Sequence, residues 1–127
     1  MAGRRAPLWA ALWAAGILVV TLMPVSDVPR LSWAEQLRVD KFVHAFLFGV
    51  QGVLLGMALA SSGRAWRSPS HPLLLGLVVA VLFGALVEVL QELMAWGRHG
   101  DPLDLLADTL GAVAGFFFLW GKQRKAA

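Results

Sequence analysis

The stretch PLLLGLVVAVLFGALV, residues 72–87, contains no charged or hydrogen-bonding side chain. A surface helix of a soluble protein carries polar residues along one face at helical spacing. This stretch is apolar on every face, and it lies in a predominantly apolar block that runs from about Leu73 to Trp96. A helix of this kind is typical of a membrane span, which needs about 20 apolar residues.

Three further apolar blocks run from about Leu8 to Pro24, Phe42 to Ala60 and Leu103 to Trp120. The whole chain is 58% hydrophobic and 15% charged, whereas an average soluble domain is about 25% charged. A helix needs about 20 residues, at ~1.5 Å each, to cross a bilayer core, and each block is close to this length. The sequence therefore predicts an all-α polytopic membrane protein, a bundle of four transmembrane helices that forms one domain over residues 1–127.

The first block has an alternative interpretation as a secretory signal, because a basic start precedes its apolar middle. The residues after it, TLMPVSDVPR (21–30), contain no cleavage site of the Ala-x-Ala kind. A retained first helix is therefore the prediction. The chain has no cysteine, which excludes a disulfide framework and a thiolate metal site.

Charge predicts the orientation of the four helices. With four spans, both termini and the 61–72 loop share one side, and that side holds seven basic residues. The opposite side holds four basic residues and all eight acids, some of them in the outer halves of the helices. The positive-inside rule then places the termini in the cytoplasm. The basic sequence pI of 10.2 reflects this topology and contact with membrane lipids, and no nucleic-acid partner is predicted.

The fourth apolar block begins with acids. In DPLD, residues 101–104, Asp101 is a typical N-cap, Pro102 fits the first helical position and Asp104 lies near the positive end of the helix dipole. Capping alone can account for Asp101 and Asp104, and a role in a binding site is the alternative. Capping does not account for Asp108, which lies ~9 Å into the helix.

The third block carries polar residues at a similar depth. Glu88, Gln91 and Glu92 share one face through i, i+3, i+4 spacing. A charge at mid-helix costs roughly 2.5–3.5 kcal/mol on insertion scales, so such residues usually face a bundle interior. Glu92 is shallow enough to be merely interfacial.

The second block carries Asp40, His44 and Gln51 on one face. Lys41, at the start of that helix, can extend to the lipid headgroups. His44 has the alternative role of a packing residue, although its level in the membrane matches that of Glu88 and Asp108.

Small residues suggest how the helices close. Gly111 and Gly115 continue the stripe of Asp104 and Asp108, and small residues allow helices to approach closely. The bundle is expected to be closed toward the cytoplasm and splayed toward the exterior. The residues expected to line one cavity open to the exterior are His44, Glu88, Arg98 and Asp104, with Gln51 at or near its floor.

The motifs DKFVHAFLFGV, EVLQEL and GRHGDPLDLLADTLGAVAG, in this order, resemble the VanZ-like family of small bacterial membrane proteins over residues 20–120. The family pattern maps onto Asp40, Lys41, His44, Glu88, Gln91, Arg98, Asp104, Asp108 and Gly111. Asp108 departs from the pattern, because that family usually has Asn there. The resemblance implies a multi-pass protein of the bacterial inner membrane with a role in the cell envelope. It also implies a part in antibiotic resistance, namely to teicoplanin and related lipoglycopeptides, without a settled biochemical activity.

The segment LSWAEQLRVD (31–40) has Ser32 and Glu35 at capping-box spacing. It is expected to form a short interfacial helix over about 32–38 beside the pocket mouth, with an ordered polar loop as the alternative.

Three functions remain open. The first is binding of a lipid headgroup or a polyprenyl-linked cell-wall precursor, in which Arg98, Lys41 and His44 contact phosphate while the acids hold those cations in place. The second is a membrane enzyme that acts on such a lipid, for which the candidate catalytic residues are His44, Glu88 and Asp104 and acid–base chemistry falls to His44 and Glu88. The third is a small proton-coupled transporter, which the uncharged first helix disfavours.

No HExxH, GxSxG or Gly-rich phosphate motif occurs in the chain, and the sequence predicts no cofactor and no metal. Within the enzyme alternative, a divalent cation would rest on Glu88, Asp104 and Asp108.

Overall fold

In a computed structural model, the chain forms four long helices: α1 (Ala2–Leu22), α2 (Trp33–Ala60), α3 (His71–Met94) and α4 (Pro102–Ala126). The structure describes residues 2–23, 33–94 and 100–126, and for residues 2 and 33–38 it describes the backbone alone. No strand occurs in these ranges. All four helices are long and apolar enough to cross a membrane, which confirms the predicted fold class.

The helices extend beyond the apolar blocks of the sequence. α2 begins at Trp33 and α4 continues to Ala126, because backbone hydrogen bonding continues into polar flanks after the apolar stretch has ended. Residues 33–38, expected as a separate short helix, form the first turns of α2. The limits of the apolar blocks therefore do not mark the ends of the helices.

The bundle has large apolar side chains on its outside. Phe42, Leu82 and Leu93 are each more than half exposed, whereas polar and small residues fill much of the interior. In water, such a continuous apolar surface would drive association. In a bilayer, lipid tails cover it at no cost, so the distribution fits a membrane protein.

The interior contains a small apolar core where three helices meet. Ile17 of α1, Phe48 of α2 and Val87 of α3 are completely buried. Trp13 packs against this core and donates its indole N–H to the Leu47 carbonyl at 2.8 Å. This hydrogen bond fixes α1 against α2.

Glycines set the close approach of the helices. A Cβ added to Gly111 would lie 2.0 Å from the Ala45 carbonyl oxygen, and one added to Gly115 would lie 2.7 Å from the Gly49 carbonyl oxygen. A Cβ on Gly76 would lie 2.7 Å from the Gly56 backbone nitrogen. The stripe of small residues therefore packs α4 directly against the backbone of α2, as its spacing predicts.

The two ends of the bundle differ in charge. Ser61 donates a hydrogen bond to the Gly3 carbonyl at 2.7 Å, and Gln123 donates one to the Pro69 carbonyl at 3.0 Å. These contacts bring the start of α1, the 61–70 loop and the end of α4 together at what we call the basic end. The basic residues there are Arg4, Arg5, Arg64, Arg67, Lys122, Arg124 and Lys125. The opposite end, where the start of α2, the end of α3 and the start of α4 meet, is the acidic end. Which end faces the cytoplasm stays a prediction of the charge rule.

Candidate functional site

Seven ionisable side chains converge at the acidic end, and we call them the acidic cluster. α2 contributes three of them, α3 one and the start of α4 the rest. They comprise five carboxylates, one ammonium group and one imidazole. The members are Asp40, Lys41, His44, Glu88, Asp101, Asp104 and Asp108.

Lys41 joins the start of α2 to the start of α4. Its ammonium group lies 2.8 Å from Asp101 Oδ2, forms a second ion pair with Asp104 and lies 3.8 Å from Asp40 Oδ2. Of the two positions that the sequence left open for Lys41, at the lipid headgroups or held by acids, the structure has the second. The reason is that α4 begins with carboxylates directly opposite.

Asp101 has two roles at the start of α4. Its Oδ1 accepts a hydrogen bond from the Leu103 backbone N–H at 2.9 Å, which is the predicted N-cap contact. Its Oδ2 binds Lys41. The Lys41 ammonium and then the Leu103 N–H lower the pKa of Asp101 below its ordinary value of 3.8, because both stabilise the ionised carboxylate.

His44 and Asp108 form a buried pair across α2 and α4. His44 Nδ1 and Asp108 Oδ1 are 2.7 Å apart. On the other side of the ring, Nε2 lies 3.5 Å from Asp104 Oδ2 and 3.9 Å from Asp40 Oδ1. Phe48 stacks parallel to the imidazole. Both ring nitrogens therefore face carboxylates, and the ring plane is held by an aromatic neighbour.

Glu88 connects α3 to the start of α4. Its Oε2 accepts a hydrogen bond from the Asp101 backbone N–H at 2.7 Å. The residue is only 9% exposed. Glu88 and Lys41 thus both bind Asp101, at the start of α4.

Exposure falls steadily from the rim of the cluster inward. Asp40 and Asp101 are 39% and 38% exposed at the side chain, Lys41 is 23% exposed, and Asp104 and His44 are 8% and 3% exposed. Asp108 is completely buried. The cluster is therefore reached from the acidic end and closes toward the bundle interior.

Within the part of the chain that the structure describes, several buried polar atoms have no hydrogen-bond partner. Two of these atoms are carboxylate oxygens, Glu88 Oε1 and Asp108 Oδ2. The other two are amide oxygens, Oε1 of Gln51 and Oε1 of Gln91. An unpaired buried polar atom costs about 1–3 kcal/mol. The inside of the cluster therefore has unused capacity to bind a donor or a cation.

Three predicted site residues, Gln51, Gln91 and Arg98, are not members of the acidic cluster as defined above. Gln91 faces α1, where its Nε2 donates to the Thr21 carbonyl at 2.8 Å. Gln51 is buried on α2. Arg98 lies outside the described residues, so its predicted place in the cavity stays a prediction, as does the opening of that cavity to the exterior.

Two groups in the described ranges place three possible metal ligands within 4.8 Å of one another. One consists of Asp40, His44 and Asp104, and the other of His44, Glu88 and Asp108. Both groups include His44, whose position between the acids depends on how α2 packs against α4. The trio of Glu88, Asp104 and Asp108, named from the sequence only within the enzyme alternative, is a different set and stays a prediction.

An open apolar groove of about 610 Å³ lies beside the cluster between α2 and α4. Its lining begins at Phe42 and Leu110, which follow Lys41 and Asp108 closely in the chain, and it continues to Leu54 and Phe118. The groove was not predicted from the sequence. Its signal was the small residues Gly49, Gly111, Ala114 and Gly115, which form part of the lining where α2 and α4 approach closely.

Fold and site together define a multi-pass helical membrane protein with a polar cluster at one end of its bundle. The family model described as VanZ/LLP1 matches residues 8–123. The chain belongs to this family, as its motifs indicate. Comparison with curated proteins and with solved structures gave no significant match.

Proposed function

We propose that this VanZ-family protein is an envelope protein of the bacterial inner membrane that binds an envelope lipid. The headgroup, or the polar part of a lipid-linked cell-wall precursor, would occupy the acidic cluster at the outer membrane surface. One observation carries the proposal: the acidic cluster and the apolar groove lie one after the other along the same two helices, α2 and α4. A lipid is built in the same order, with a polar headgroup followed by apolar tails.

The groove and the acidic cluster contribute differently to binding, because the groove is surrounded by lipid. Lipid tails are as apolar as the groove, so burial of a tail gives little affinity within a bilayer. The groove can therefore select the shape of a tail, whereas selectivity for one lipid over another must come from polar contacts in the cluster.

The charge of the cluster indicates which headgroup it favours. Among the described residues, five carboxylates face one lysine and one histidine, and Lys41 is already bound by Asp101 and Asp104. A phosphate that relied on Lys41 would have to displace those acids. A headgroup that presents an ammonium group, such as ethanolamine, matches the surplus of acids directly.

Lipoglycopeptide tolerance is the physiological role that we propose, following the resemblance to the VanZ-like family. A protein that binds an envelope lipid at the outer surface changes which lipids or precursors are accessible there. This provides a physical route from binding to tolerance.

A membrane enzyme is the second candidate, and the His44–Asp108 pair favours it. A carboxylate that accepts a hydrogen bond from one ring nitrogen orients the imidazole, and the other nitrogen can then act as a general acid or base. Here Nδ1 faces Asp108 at 2.7 Å, and Nε2 faces the more accessible side of the cluster. The same bound lipid would then be a substrate.

Native mass spectrometry of protein reconstituted with phosphatidylethanolamine, phosphatidylglycerol or a polyprenyl phosphate tests both candidates. We expect bound lipid in the unaltered protein, with ethanolamine lipid preferred over glycerol lipid. Ala114→Trp fills the groove and should lower the ratio of bound lipid to protein, whereas Leu82→Trp, on the lipid-facing side of α3, should not. Asp40→Asn should reduce the preference for ethanolamine.

Equal lipid retention in both tryptophan variants, together with no headgroup preference, would contradict the proposal. Chemical conversion of the bound lipid by the purified protein would establish the enzyme, and its absence with retained binding would leave the binding protein.

A further inference from the structure

We propose that His44, Glu88 and Asp108 form a binding site for a divalent transition-metal cation of the Zn²⁺ or Mn²⁺ type. One nitrogen of His44 and one carboxylate oxygen from each acid lie within 4.8 Å of one another. Each residue comes from a different helix, α2, α3 or α4. All three are at least nine-tenths buried.

Unused ligand capacity provides independent support. Glu88 Oε1 and Asp108 Oδ2 are buried atoms that have no hydrogen-bond partner among the described residues. An ionised carboxylate in a low-dielectric interior is stable only with a counter-charge or enough donors. Lys41 does not supply this counter-charge, because its ammonium group binds Asp101 and Asp104. A bound cation would satisfy both carboxylates at once.

Glycine at position 84 lets the Asp108 carboxylate lie directly against α3. A Cβ added to Gly84 would lie 2.9 Å from Asp108 Oδ2 and 3.3 Å from the Phe48 ring. Any larger residue would press directly on the unpartnered oxygen. Gly84 also lies one helical turn before Glu88, so it is on the same face of α3.

The donor atoms indicate the kind of cation. Ca²⁺ and Mg²⁺ are usually held by oxygen ligands alone, whereas imidazole is a preferred ligand of zinc and other transition metals. One imidazole with two carboxylates resembles the mixed nitrogen and oxygen sets that bind such ions. A water molecule or a lipid oxygen would complete the coordination.

The competing trio of Asp40, His44 and Asp104 already has a cation. The Lys41 ammonium pairs with Asp104 and lies 3.8 Å from Asp40 Oδ2. A divalent ion beside it would meet a like charge at close range. The deeper trio has no lysine or arginine in hydrogen-bond contact among the described residues, so we place the ion there.

The test is metal binding by purified full-length protein in detergent. The protein is treated with a chelator, then titrated with Zn²⁺ or Mn²⁺ alone, and bound metal is counted by plasma mass spectrometry. We expect one ion per chain, together with an increased thermal unfolding temperature in the unaltered protein. Glu88→Gln and Asp108→Asn should each lower the affinity by more than the about 10- to 100-fold that loss of an outer-shell partner costs.

Two further variants serve as controls. Glu92→Gln alters an exposed acid one turn along α3 and should leave metal binding unchanged. Asp40→Asn should also retain the ion, because Asp40 belongs only to the competing trio. Size-exclusion profiles establish that each variant is folded. The metal-induced thermal shift of the unaltered protein tests the site without any variant.

Absence of stoichiometric metal in the unaltered protein, or loss of metal in Asp40→Asn with retention in Glu88→Gln, would overturn the proposal. The measurement is made without added lipid. Its failure would therefore leave headgroup binding intact, and a failure of headgroup binding would leave the metal site intact.

Discussion

Gly111→Ala places one methyl group at the closest approach of α2 and α4. The added Cβ would lie 2.0 Å from the Ala45 carbonyl oxygen, 2.7 Å from its carbonyl carbon and 2.9 Å from its Cα. Ordinary non-bonded contacts lie near 3.5–4.0 Å, so the two helices must separate by roughly 1 Å or more. Every atom in the way is backbone, and no side-chain rotation relieves the overlap.

The expected loss of stability follows from the fact that the clash is between backbone atoms. Overpacking of a close-packed interior typically costs about 1–3 kcal/mol, and a backbone-on-backbone clash belongs at the upper limit or beyond. Alanine in place of a helical glycine otherwise contributes about 0.5–1 kcal/mol of stability. We therefore expect Gly111→Ala to lower the free energy of unfolding by about 2 kcal/mol or more, net of that gain.

The assay is reversible unfolding of the purified protein in mixed detergent and SDS micelles, followed by far-ultraviolet circular dichroism. Gly16→Ala is the matched control, because an added Cβ there meets no atom within 4 Å. It should be neutral or slightly stabilising. A neutral or stabilising Gly111→Ala would show that α2 and α4 do not meet as described, and would refute the reasoning.

Two further predictions concern the acidic end. Lys41→Gln should reduce stability by about 1–3 kcal/mol, because it leaves Asp104 without its charged donor, and a second change of Asp104→Asn should recover part of that loss in a denaturation cycle. The pKa of Asp101 is lowered below 3.8 by Lys41, so the stability that this carboxylate contributes is complete above pH 3.8 and is lost as the pH falls through the lowered value. Carbon-13 NMR titration should show the Asp101 pKa moving back up in Lys41→Gln, and an unmoved value would exclude the ion pair. For the topology, a cysteine at Ser32 should react with an impermeant thiol reagent in intact spheroplasts and a cysteine at Ser62 should not, and the reverse pattern would place the acidic end in the cytoplasm.

The fold could be predicted from the sequence because a bilayer imposes a simple requirement on length and apolarity. The stretch 72–87 satisfies that requirement on every face of a helix, and the other three blocks do so nearly as well. The N-cap at Asp101 could equally be predicted from the sequence, because its contact to Leu103 spans only two residues. Local periodicity and local hydrogen bonding determine both features.

The pairing of side chains between helices could not be predicted in the same way. Depth in the membrane placed His44, Glu88 and Asp108 at one level, but depth does not determine how each helix is rotated about its axis. Contacts such as Gly111 against Ala45 set that rotation, and they determine that His44 contacts Asp108. The rotation of α3 about its own axis turns Gln91 toward Thr21 of α1, so a residue that shares a face with Glu88 by spacing contacts a different helix.

The division of the cluster among three helices has a consequence for biosynthesis. Among the described residues, α4 contacts α2 and α3 but not α1, and its acids supply the partners of both Lys41 and His44. During synthesis, α2 and α3 enter the membrane before α4 emerges from the ribosome. Until then Lys41 and His44 lack these partners and Glu88 lacks the Asp101 N–H. Insertion of α4 therefore assembles the site in a single docking step, and newly made chains pass through a stage in which a membrane-embedded histidine and glutamate depend on water or lipid for their hydrogen bonds.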